Sequence, residues 1–166
     1  LTTWVVTGDG DSLAIGGNHL IHTMRRNIDL NILMFNNRIY GLTKGQYSPA
    51  SPLGIKTPTT PEGAIEEPFN AGLLTMGAGG TFFARVADND VKLLSEMLAR
   101  AVAHKGAAFI EILQNCVIFN DGIHDEITSK DKRDENQIVL RHAEPMVFGK
   151  ARDKGLRFNG GSLEVI

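Results

Sequence analysis

Two short motifs have the residue types and the spacing of a site for a divalent metal and a diphosphate. Residues 8–10 read Gly-Asp-Gly, and after 25 intervening residues the pair Asn36-Asn37 closes an apolar run. Magnesium prefers hard oxygen ligands in octahedral geometry and often takes only one or two of them from side chains. A carboxylate and an amide at this separation can therefore hold one magnesium ion and, through it, a diphosphate.

The residues between the motifs predict the elements that bring them together. Residues 2–7 are rich in β-branched and aromatic types and predict a short buried strand, and the glycines after it allow a sharp exit into a helix. Helical spacing of apolar and small residues predicts a helix over residues 13–26, and residues 30–35 predict a second buried strand. A right-handed crossover puts the carboxyl ends of both strands at one edge of the sheet, so Asp9 and Asn37 are expected to meet in a crevice there.

The rest of the chain continues to alternate between strands and helices. Residues 47–61 hold four of the six prolines and predict an extended loop beside the site. Further predicted elements are a short helix over residues 66–76, a strand over 81–87, a helix over 91–104 and a strand over 107–113. This order predicts an α/β fold with a mostly parallel sheet covered by helices on both faces. We expect one domain over residues 1–128 and a polar C-terminal extension of it over 129–166.

The two motifs together resemble the diphosphate-binding motif of thiamin-diphosphate enzymes. In that family the Asp, the second Asn and a main-chain carbonyl two residues further on bind the magnesium ion. The resemblance therefore implies Asp9, Asn37 and Ile39 as metal ligands, with Gly10 and Asp11 facing the diphosphate. Taken alone, each motif is an ordinary turn. The combination, with a strand, a helix and a strand predicted around it, favours the cofactor site.

A loop rich in glycine and in small polar side chains follows the Asn36-Asn37 pair. It resembles the loop of the β subunits of 2-oxoacid:ferredoxin oxidoreductases, in which a Gly-x-Thr-x-Gly-Gln stretch wraps the diphosphate. The cofactor-binding residues that this implies are Gly41, Leu42, Thr43, Lys44, Gly45 and Gln46. Glycine lets the backbone approach a phosphate closely, and Thr43 and Gln46 offer uncharged hydrogen-bonding groups. A flexible polar loop is the alternative.

Lys44 bears on the choice of substrate. It lies seven positions after Asn37. In the resembled subunits a lysine here goes with a dicarboxylic 2-oxoacid, whereas pyruvate enzymes tend to have a small residue. Lys44 is therefore expected to pair with the distal carboxylate of 2-oxoglutarate. The alternative is an ordinary solvated surface charge.

Cys116 is the single cysteine of the sequence and follows the apolar run that ends at Leu113. A lone thiol at a strand end is usually inert packing. The surrounding Gln-Asn-Cys stretch again resembles the oxidoreductase β subunit, in which this cysteine is the fourth thiolate of a 4Fe-4S cluster. That family places the other three cysteines upstream of the Gly-Asp-Gly motif. We expect a chain cut at its N-terminus, and a natural relative without the cluster is the alternative.

The resemblance implies oxidative decarboxylation of 2-oxoglutarate to succinyl-CoA with coenzyme A and ferredoxin. The glutamate that activates the cofactor belongs in these enzymes to the α subunit, so no catalytic residue is expected in this chain alone and the chain is expected to be inactive without that partner. The alternatives are a β subunit for pyruvate or another 2-oxoacid, a non-redox decarboxylase or synthase that uses the same cofactor, and a catalytically silent interaction subunit.

Composition limits the classes of partner that the protein can bind and indicates the cellular compartment in which it works. The net charge of −2 gives no electrostatic reason to expect binding to nucleic acid. No apolar run approaches the roughly 20 residues that span a bilayer, and the first residues do not follow the pattern of a signal peptide. One cysteine cannot form an intrachain disulfide, so a cytoplasmic location is expected. His19 and His22 stand three residues apart, but without a third ligand nearby they are interpreted as ordinary helix residues.

Overall fold

Four parallel strands form the sheet that carries the two motifs. They are β1 (Trp4–Gly8), β2 (Asn31–Asn36), β3 (Phe82–Ala87) and β4 (Ala108–Leu113), in the spatial order β1-β2-β4-β3. The structure is a computed structural model that describes residues 2–166. It divides into two units, one ending at Ile123 and the other spanning His124–Ile166. The predicted α/β fold with a parallel sheet is confirmed.

The helices of the first unit connect these strands. They are α1 (Asp9–Leu13), α2 (Gly17–Arg25), α3 (Ala71–Gly77) and α4 (Val91–Ala103). Local capping fixes two of the starts, because a side-chain oxygen satisfies a main-chain amide that has no partner inside the helix. Asp90 accepts from the Leu93 amide at 3.1 Å at the start of α4, and Asn70 accepts from the Leu73 amide at 3.2 Å at the start of α3.

The helix predicted over residues 13–26 is confirmed from Gly17 to Arg25, but it begins later than predicted, and a separate short helix precedes it with a break at residues 14–16. The first begins at Asp9, directly after β1, and the second begins at Gly17. At the break the Gly16 amide donates to the Asp11 carbonyl at 2.8 Å. A Cβ atom on Gly16 would lie 2.4 Å from that same carbonyl oxygen, so the tight turn requires glycine.

Apolar side chains pack on both faces of the sheet. On one face Met24 of α2 packs with Met34 of β2 and Phe109 of β4, all three fully buried. On the other face Ala101 of α4 packs against Ile110 of β4 and its neighbours. These two clusters confirm the prediction that helices cover both faces of the sheet.

The first strand is less buried than predicted. Among the described residues β1 is an edge strand that pairs only with β2, and Val6, which lies beside Leu33, is 66% exposed. Helix α4 packs over β3 and β4 and does not reach β1. A run of β-branched and aromatic residues predicts a strand, but it does not show whether another element of the chain covers the faces of that strand.

The second unit contains two short helices and a small antiparallel sheet. The helices are α5 (Asp125–Thr128) and α6 (Arg133–Asn136), and the strands are β5 (Val147–Phe148), β6 (Lys154–Asn159) and β7 (Ser162–Val165). Gly160 and Gly161 form the turn between β6 and β7, both with positive φ. The division predicted at residue 128 stays a prediction. Across residues 2–166, no helix combines the length and the apolarity needed to cross a membrane.

Candidate functional site

The parallel pairing of β1 with β2 brings the two motifs to one edge of the sheet. Gly8, the last residue of β1, lies beside Phe35 of β2. Asp9 and Asn36 therefore follow at neighbouring strand ends, where ligands of parallel α/β sheets usually bind. The Asp9 carboxyl also accepts a hydrogen bond from the main-chain amide of Asn37, which joins the motifs directly.

Asp9 is a buried carboxylate with a small set of fixed partners. It is 2% exposed, and Ser48 Oγ lies 2.5 Å from its Oδ2. Burial raises the pKa of Asp9, while hydrogen bonds from Ser48 and from the main chain of Asn37 oppose that rise. Desolvation is the larger effect, so ionisation of Asp9 is less favourable in the metal-free chain than ionisation of an exposed aspartate. A bound cation would oppose that penalty, because an opposite charge nearby favours the ionised form of a carboxyl.

The two asparagines of the pair have different surroundings. Asn37 donates from Nδ2 to Gln114 Oε1 at 3.1 Å, and its Oδ1 accepts from the Ile39 amide at 3.3 Å. Because the donor end is held, Oδ1 has a fixed position and keeps a second lone pair for a metal. Asn36 instead points into the sheet, where its Nδ2 donates to the buried Glu111 at 2.6 Å.

Glu111 fixes the strand end beneath the site. One of its oxygens accepts from Asn36, and the other forms an ion pair with Arg85 Nε at 2.7 Å. Since these residues belong to β2, β3 and β4, the contact ties three neighbouring strands together. The base of the site is therefore rigid, as a binding constellation requires.

The loop after the pair forms a tight turn with its tip exposed. Tyr40 and Gln46 pair through two main-chain hydrogen bonds, of 2.7 Å and 3.2 Å. Leu42 is 99% exposed, and Lys44 adopts a left-handed φ of 66°. Within the described residues the Lys44 side chain makes no ion pair. The main-chain amides of Lys44, Gly45 and Gln46 donate inside the turn, and the Lys44 side chain is exposed on its outside.

Tyr40 connects this loop to the first motif. Its hydroxyl donates to the Gly10 carbonyl at 2.9 Å, and a Cβ atom on Gly10 would lie 2.1 Å from the Tyr40 ring. Burial raises the pKa of Tyr40, and the charges of Asp11 and Asp9 add to that effect. Gly10 is therefore required by ring packing as well as by the exit from the strand. The sequence does not reveal this contact, because the partners stand 30 residues apart.

A turn in the proline-rich loop lies against the site and was not singled out from the sequence. Ser51 Oγ donates to the Arg38 carbonyl at 2.5 Å, and the Ser48 amide donates to Ser51 Oγ at 2.8 Å. Serines that bond to nearby main-chain groups are common in loops, and that pattern is the one available signal. The extended loop predicted here thus makes one specific contact with the turn of residues 37–39, through Ser51, and one with Asp9, through Ser48.

The loop that contains Cys116 contacts the same turn. Asn120 Nδ2 donates to the main-chain carbonyls of Asn37, at 2.9 Å, and of Arg38, at 3.2 Å. The Phe119 ring lies 3.4 Å from the position of a Cβ on Gly45. Cys116 itself is a free, half-buried thiol. The stretch that suggested an iron–sulfur ligand is therefore packed against the stretch that suggested a diphosphate site.

The available side chains limit how a metal could bind. Among residues 2–166 no group of three or more His, Cys, Asp or Glu side chains could hold an ion. His19 and His22 are exposed on α2. A metal at the strand ends would thus take the Asp9 carboxylate, the Asn37 amide oxygen and the Ile39 carbonyl, and fill its shell with phosphate and water oxygens. This donor set is hard and suits magnesium.

Comparison with known proteins identifies relatives of the chain. Residues 1–112 match the family model described as thiamine pyrophosphate enzyme, C-terminal TPP binding domain; thiamine pyrophosphate is another name for thiamin diphosphate. The 2-oxoglutarate oxidoreductase subunit KorB of Mycobacterium tuberculosis is 54% identical over 165 residues, which are 99% of this chain and 44% of that subunit. The 2-oxoacid:ferredoxin oxidoreductase subunit beta of Saccharolobus solfataricus is 46% identical, over 69% of this chain and 37% of that one.

A solved structure is similar as well. It is 2-oxoglutarate:ferredoxin oxidoreductase from Magnetococcus marinus with 2-oxoglutarate, coenzyme A and succinyl-CoA bound. The match has a TM-score of 0.68 and 38% sequence identity, and it covers 71% of this chain and 42% of that one. The chain spans less than half the length of each of these relatives.

Proposed function

The chain belongs to the thiamine pyrophosphate enzymes, whose C-terminal TPP-binding domain it carries, and from this membership we propose that it binds the cofactor through magnesium in a 2-oxoacid:ferredoxin oxidoreductase. It would act there as part of the β subunit. The observation that carries the proposal is the contact of the buried Asp9 carboxyl with the Asn37 main chain at adjacent strand ends. Both residues are supplied by the motifs that suggested the site.

Each proposed ligand of the magnesium ion has a defined support. Asp9 contributes a carboxylate oxygen held by Ser48, and Asn37 contributes an amide oxygen oriented by Gln114. Ile39 contributes its main-chain carbonyl from a buried position. Thiamin diphosphate, when bound, supplies the carbanion and the electron sink of the reaction. The protein's own task at this edge is to anchor and orient the diphosphate.

The diphosphate would lie between the first turn of α1 and the loop 41–46. Gly10 and Asp11 face it from one side, and the turn closed by Tyr40 and Gln46 faces it from the other. The proposed donors are the main-chain amides of Gly41, Leu42 and Thr43 and the Gln46 side-chain amide. The main-chain amides of Lys44, Gly45 and Gln46 already donate to carbonyls inside the turn and help to hold its shape. Main-chain and side-chain N–H groups in such loops bind phosphate oxygens without adding a charge.

We propose 2-oxoglutarate as the substrate and coenzyme A as the acyl acceptor. The M. tuberculosis relative is named a 2-oxoglutarate oxidoreductase subunit, and the matched structure holds 2-oxoglutarate, coenzyme A and succinyl-CoA. In this chain Lys44 supplies an exposed cation on the tip of the cofactor loop. It would pair with the distal carboxylate of the substrate through a charge-assisted hydrogen bond.

Cys116 is the proposed ligand of a 4Fe-4S cluster that passes electrons to ferredoxin. A cluster of this type needs four thiolates, and this chain offers one. The other three would come from the rest of the β subunit, while the α subunit would complete the active site. We also propose that the complex works in the cytoplasm, where a free thiol of this kind stays reduced.

Two other functions fit the cofactor site and differ in what they require. A pyruvate or other 2-oxoacid enzyme would use the same motifs and would not need Lys44. A non-redox decarboxylase or synthase would need neither Lys44 nor Cys116. The hydrogen bonds of Asn120 to Asn37 and Arg38 and the approach of Phe119 to Gly45 favour the ferredoxin enzyme, because they tie the Cys116 loop to the proposed cofactor site.

Electron transfer by the assembled enzyme tests the proposal. The full-length β subunit is purified with its α subunit, and ferredoxin reduction is followed with 2-oxoglutarate and coenzyme A. We expect reduction that depends on magnesium, thiamin diphosphate and both substrates, and we expect Cys116→Ser to lower the iron content and the visible absorption of the cluster. Decarboxylation without ferredoxin reduction and with no bound iron would favour the non-redox enzyme.

A further inference from the structure

Ser48 and Asp9 form a buried contact that neither motif explains. Both side chains are 2% exposed, and Ser48 Oγ lies 2.5 Å from Asp9 Oδ2. Ser48 stands 39 residues after Asp9, in the proline-rich loop. A carboxylate whose one oxygen is held by a buried donor offers its other oxygen in a defined direction. The contact therefore bears on how Asp9 meets a metal.

The hydrogen-bond network fixes which group donates. The Arg38 carbonyl can only accept, so the hydroxyl proton of Ser51 points to it, at 2.5 Å. Ser51 Oγ then serves as an acceptor for the Ser48 amide, at 2.8 Å. Ser48 Oγ in turn accepts from the Ala50 amide at 3.3 Å, which leaves its own proton for Asp9. One turn thus supplies a donor to the Asp9 carboxylate and another to the Arg38 carbonyl.

We propose that Ser48 is a positioning residue of the cofactor site, which holds Oδ2 of Asp9 so that Oδ1 faces the magnesium ion. Ser51 assists by holding the Arg38 carbonyl, one residue before the carbonyl ligand Ile39. The inference rests on the proposed function, since it concerns the metal site named there. Ser48 itself does not need to touch the metal, because its oxygen already has the Asp9 carboxylate and the Ala50 amide as partners.

The expected effect is a weaker metal site with an intact fold. Removing a hydrogen-bond partner of a metal ligand typically lowers metal affinity about 10- to 100-fold. Without the Ser48 hydroxyl, Asp9 keeps only its main-chain partners and is oriented less firmly, so part of the binding free energy of the metal must be used to orient it. The affinity for metal should fall, and turnover at saturating metal should fall much less.

The experiment uses the full-length subunit in its complex with the α subunit. Binding of Mn2+, a paramagnetic substitute for Mg2+, is titrated by electron paramagnetic resonance in the presence of thiamin diphosphate. We expect Ser48→Ala to raise the dissociation constant of Mn2+ about 10- to 100-fold, as for other residues that orient metal ligands. Ser48→Thr, which keeps the hydroxyl, should restore most of the affinity. Ser95→Ala, at an exposed serine on α4, is the matched control and should bind Mn2+ as the unmodified complex does.

The outcomes separate this inference from the proposed function. If Ser48→Ala binds Mn2+ within twofold of the unmodified complex while Asp9→Asn loses binding, Asp9 is a ligand and the positioning role is wrong. If Asp9→Asn retains full affinity, the metal site itself is wrong. Thermal unfolding of the metal-free complex is measured alongside. A loss of Mn2+ affinity that only follows a loss of folded protein at the assay temperature would also overturn the positioning role.

Discussion

Asn120 donates a hydrogen bond from its side-chain amide to the main-chain carbonyl of Asn37, across 83 positions of sequence and 2.9 Å of space. The same amide reaches the Arg38 carbonyl, and the neighbouring Phe119 ring lies over Gly45. The loop of the single cysteine therefore supports the turn that presents Asn37 and Ile39. A substitution that disturbs that loop should therefore also disturb the proposed magnesium site.

Replacing Asn120 by Asp tests this support. A carboxylate cannot donate, so both carbonyls lose the Asn120 donor, although Ser51 Oγ still donates to the Arg38 carbonyl. We expect the free energy of unfolding to fall by about 1–3 kcal/mol. Retention of thiamin diphosphate by the full-length complex should fall as well. Denaturant unfolding and the cofactor content after gel filtration measure the two effects. Asn18→Asp, at an exposed position of α2, is the control. An equal effect of that substitution would contradict a specific role of Asn120 in supporting the turn.

Gly10 is expected to tolerate no side chain. A Cβ atom would lie 2.1 Å from the Tyr40 ring, which is itself held by its hydroxyl on the Gly10 carbonyl. Gly10→Ala should therefore lower the free energy of unfolding by about 1–3 kcal/mol, the usual cost of overpacking. Gly17→Ala has open space around the new methyl group and should leave stability unchanged or raised. Unfolding curves that rank the two variants the other way would contradict the contact.

Burial of Asp9 should give the metal-free chain a characteristic pH dependence. Because burial raises the pKa of Asp9 above 3.8, the folded chain binds the proton more readily than the unfolded chain. The contribution of Asp9 to stability therefore falls as the pH rises from about 3.8 through the raised pKa, and stays low above it. Asp9→Asn should remove this component. Denaturant unfolding of both forms with a chelator, from acid to neutral pH, measures it, and a contribution that grows with pH would contradict the dominance of burial.

Lys44 is expected to select a dicarboxylic substrate. A charge-assisted hydrogen bond contributes about 1.5–3 kcal/mol, so Lys44→Ala should raise KM for 2-oxoglutarate roughly tenfold to hundredfold. Turnover of pyruvate, which lacks the distal carboxylate, should change little. Steady-state kinetics of the assembled complex with both substrates measure this. Lys56→Ala, an exposed lysine of the following loop, is the control. An equal loss on both substrates would assign Lys44 to the diphosphate instead.

Much of the fold could be predicted because its signals are local. Helix α4 has an N-cap at Asp90 and an apolar face, and β4 is an uninterrupted apolar run apart from Glu111. The break at Gly16 was missed because its cause is a close approach of Gly16 to the Asp11 carbonyl, which spacing alone does not report. The exposure of Val6 was missed because sequence periodicity does not show which strand lies at the edge.

The proposed ligands of the candidate site could be named from the sequence, but the contacts that support them could not. Asp9 and Asn37 stand in short motifs with a known meaning, and the parallel crossover between them makes their proximity predictable. Ser48, Tyr40 and Asn120 act through partners that are 30 to 83 residues away and that include main-chain carbonyls. No sequence pattern marks such contacts, since a serine, tyrosine or asparagine in a loop has many possible partners.

Retention of thiamin diphosphate by an Asp9 variant is the measurement that tests the central claim most directly. The full-length complex and its Asp9→Ala form are loaded with cofactor and magnesium, passed through a desalting column, and assayed for bound thiamin diphosphate. Asp29→Ala, an exposed carboxylate ahead of β2, is the matched control. We predict retention by the unmodified and Asp29→Ala complexes that is lost on chelation of magnesium, and no retention by Asp9→Ala. Retention by Asp9→Ala at the unmodified level would contradict the assignment of this sheet edge as the magnesium and diphosphate site.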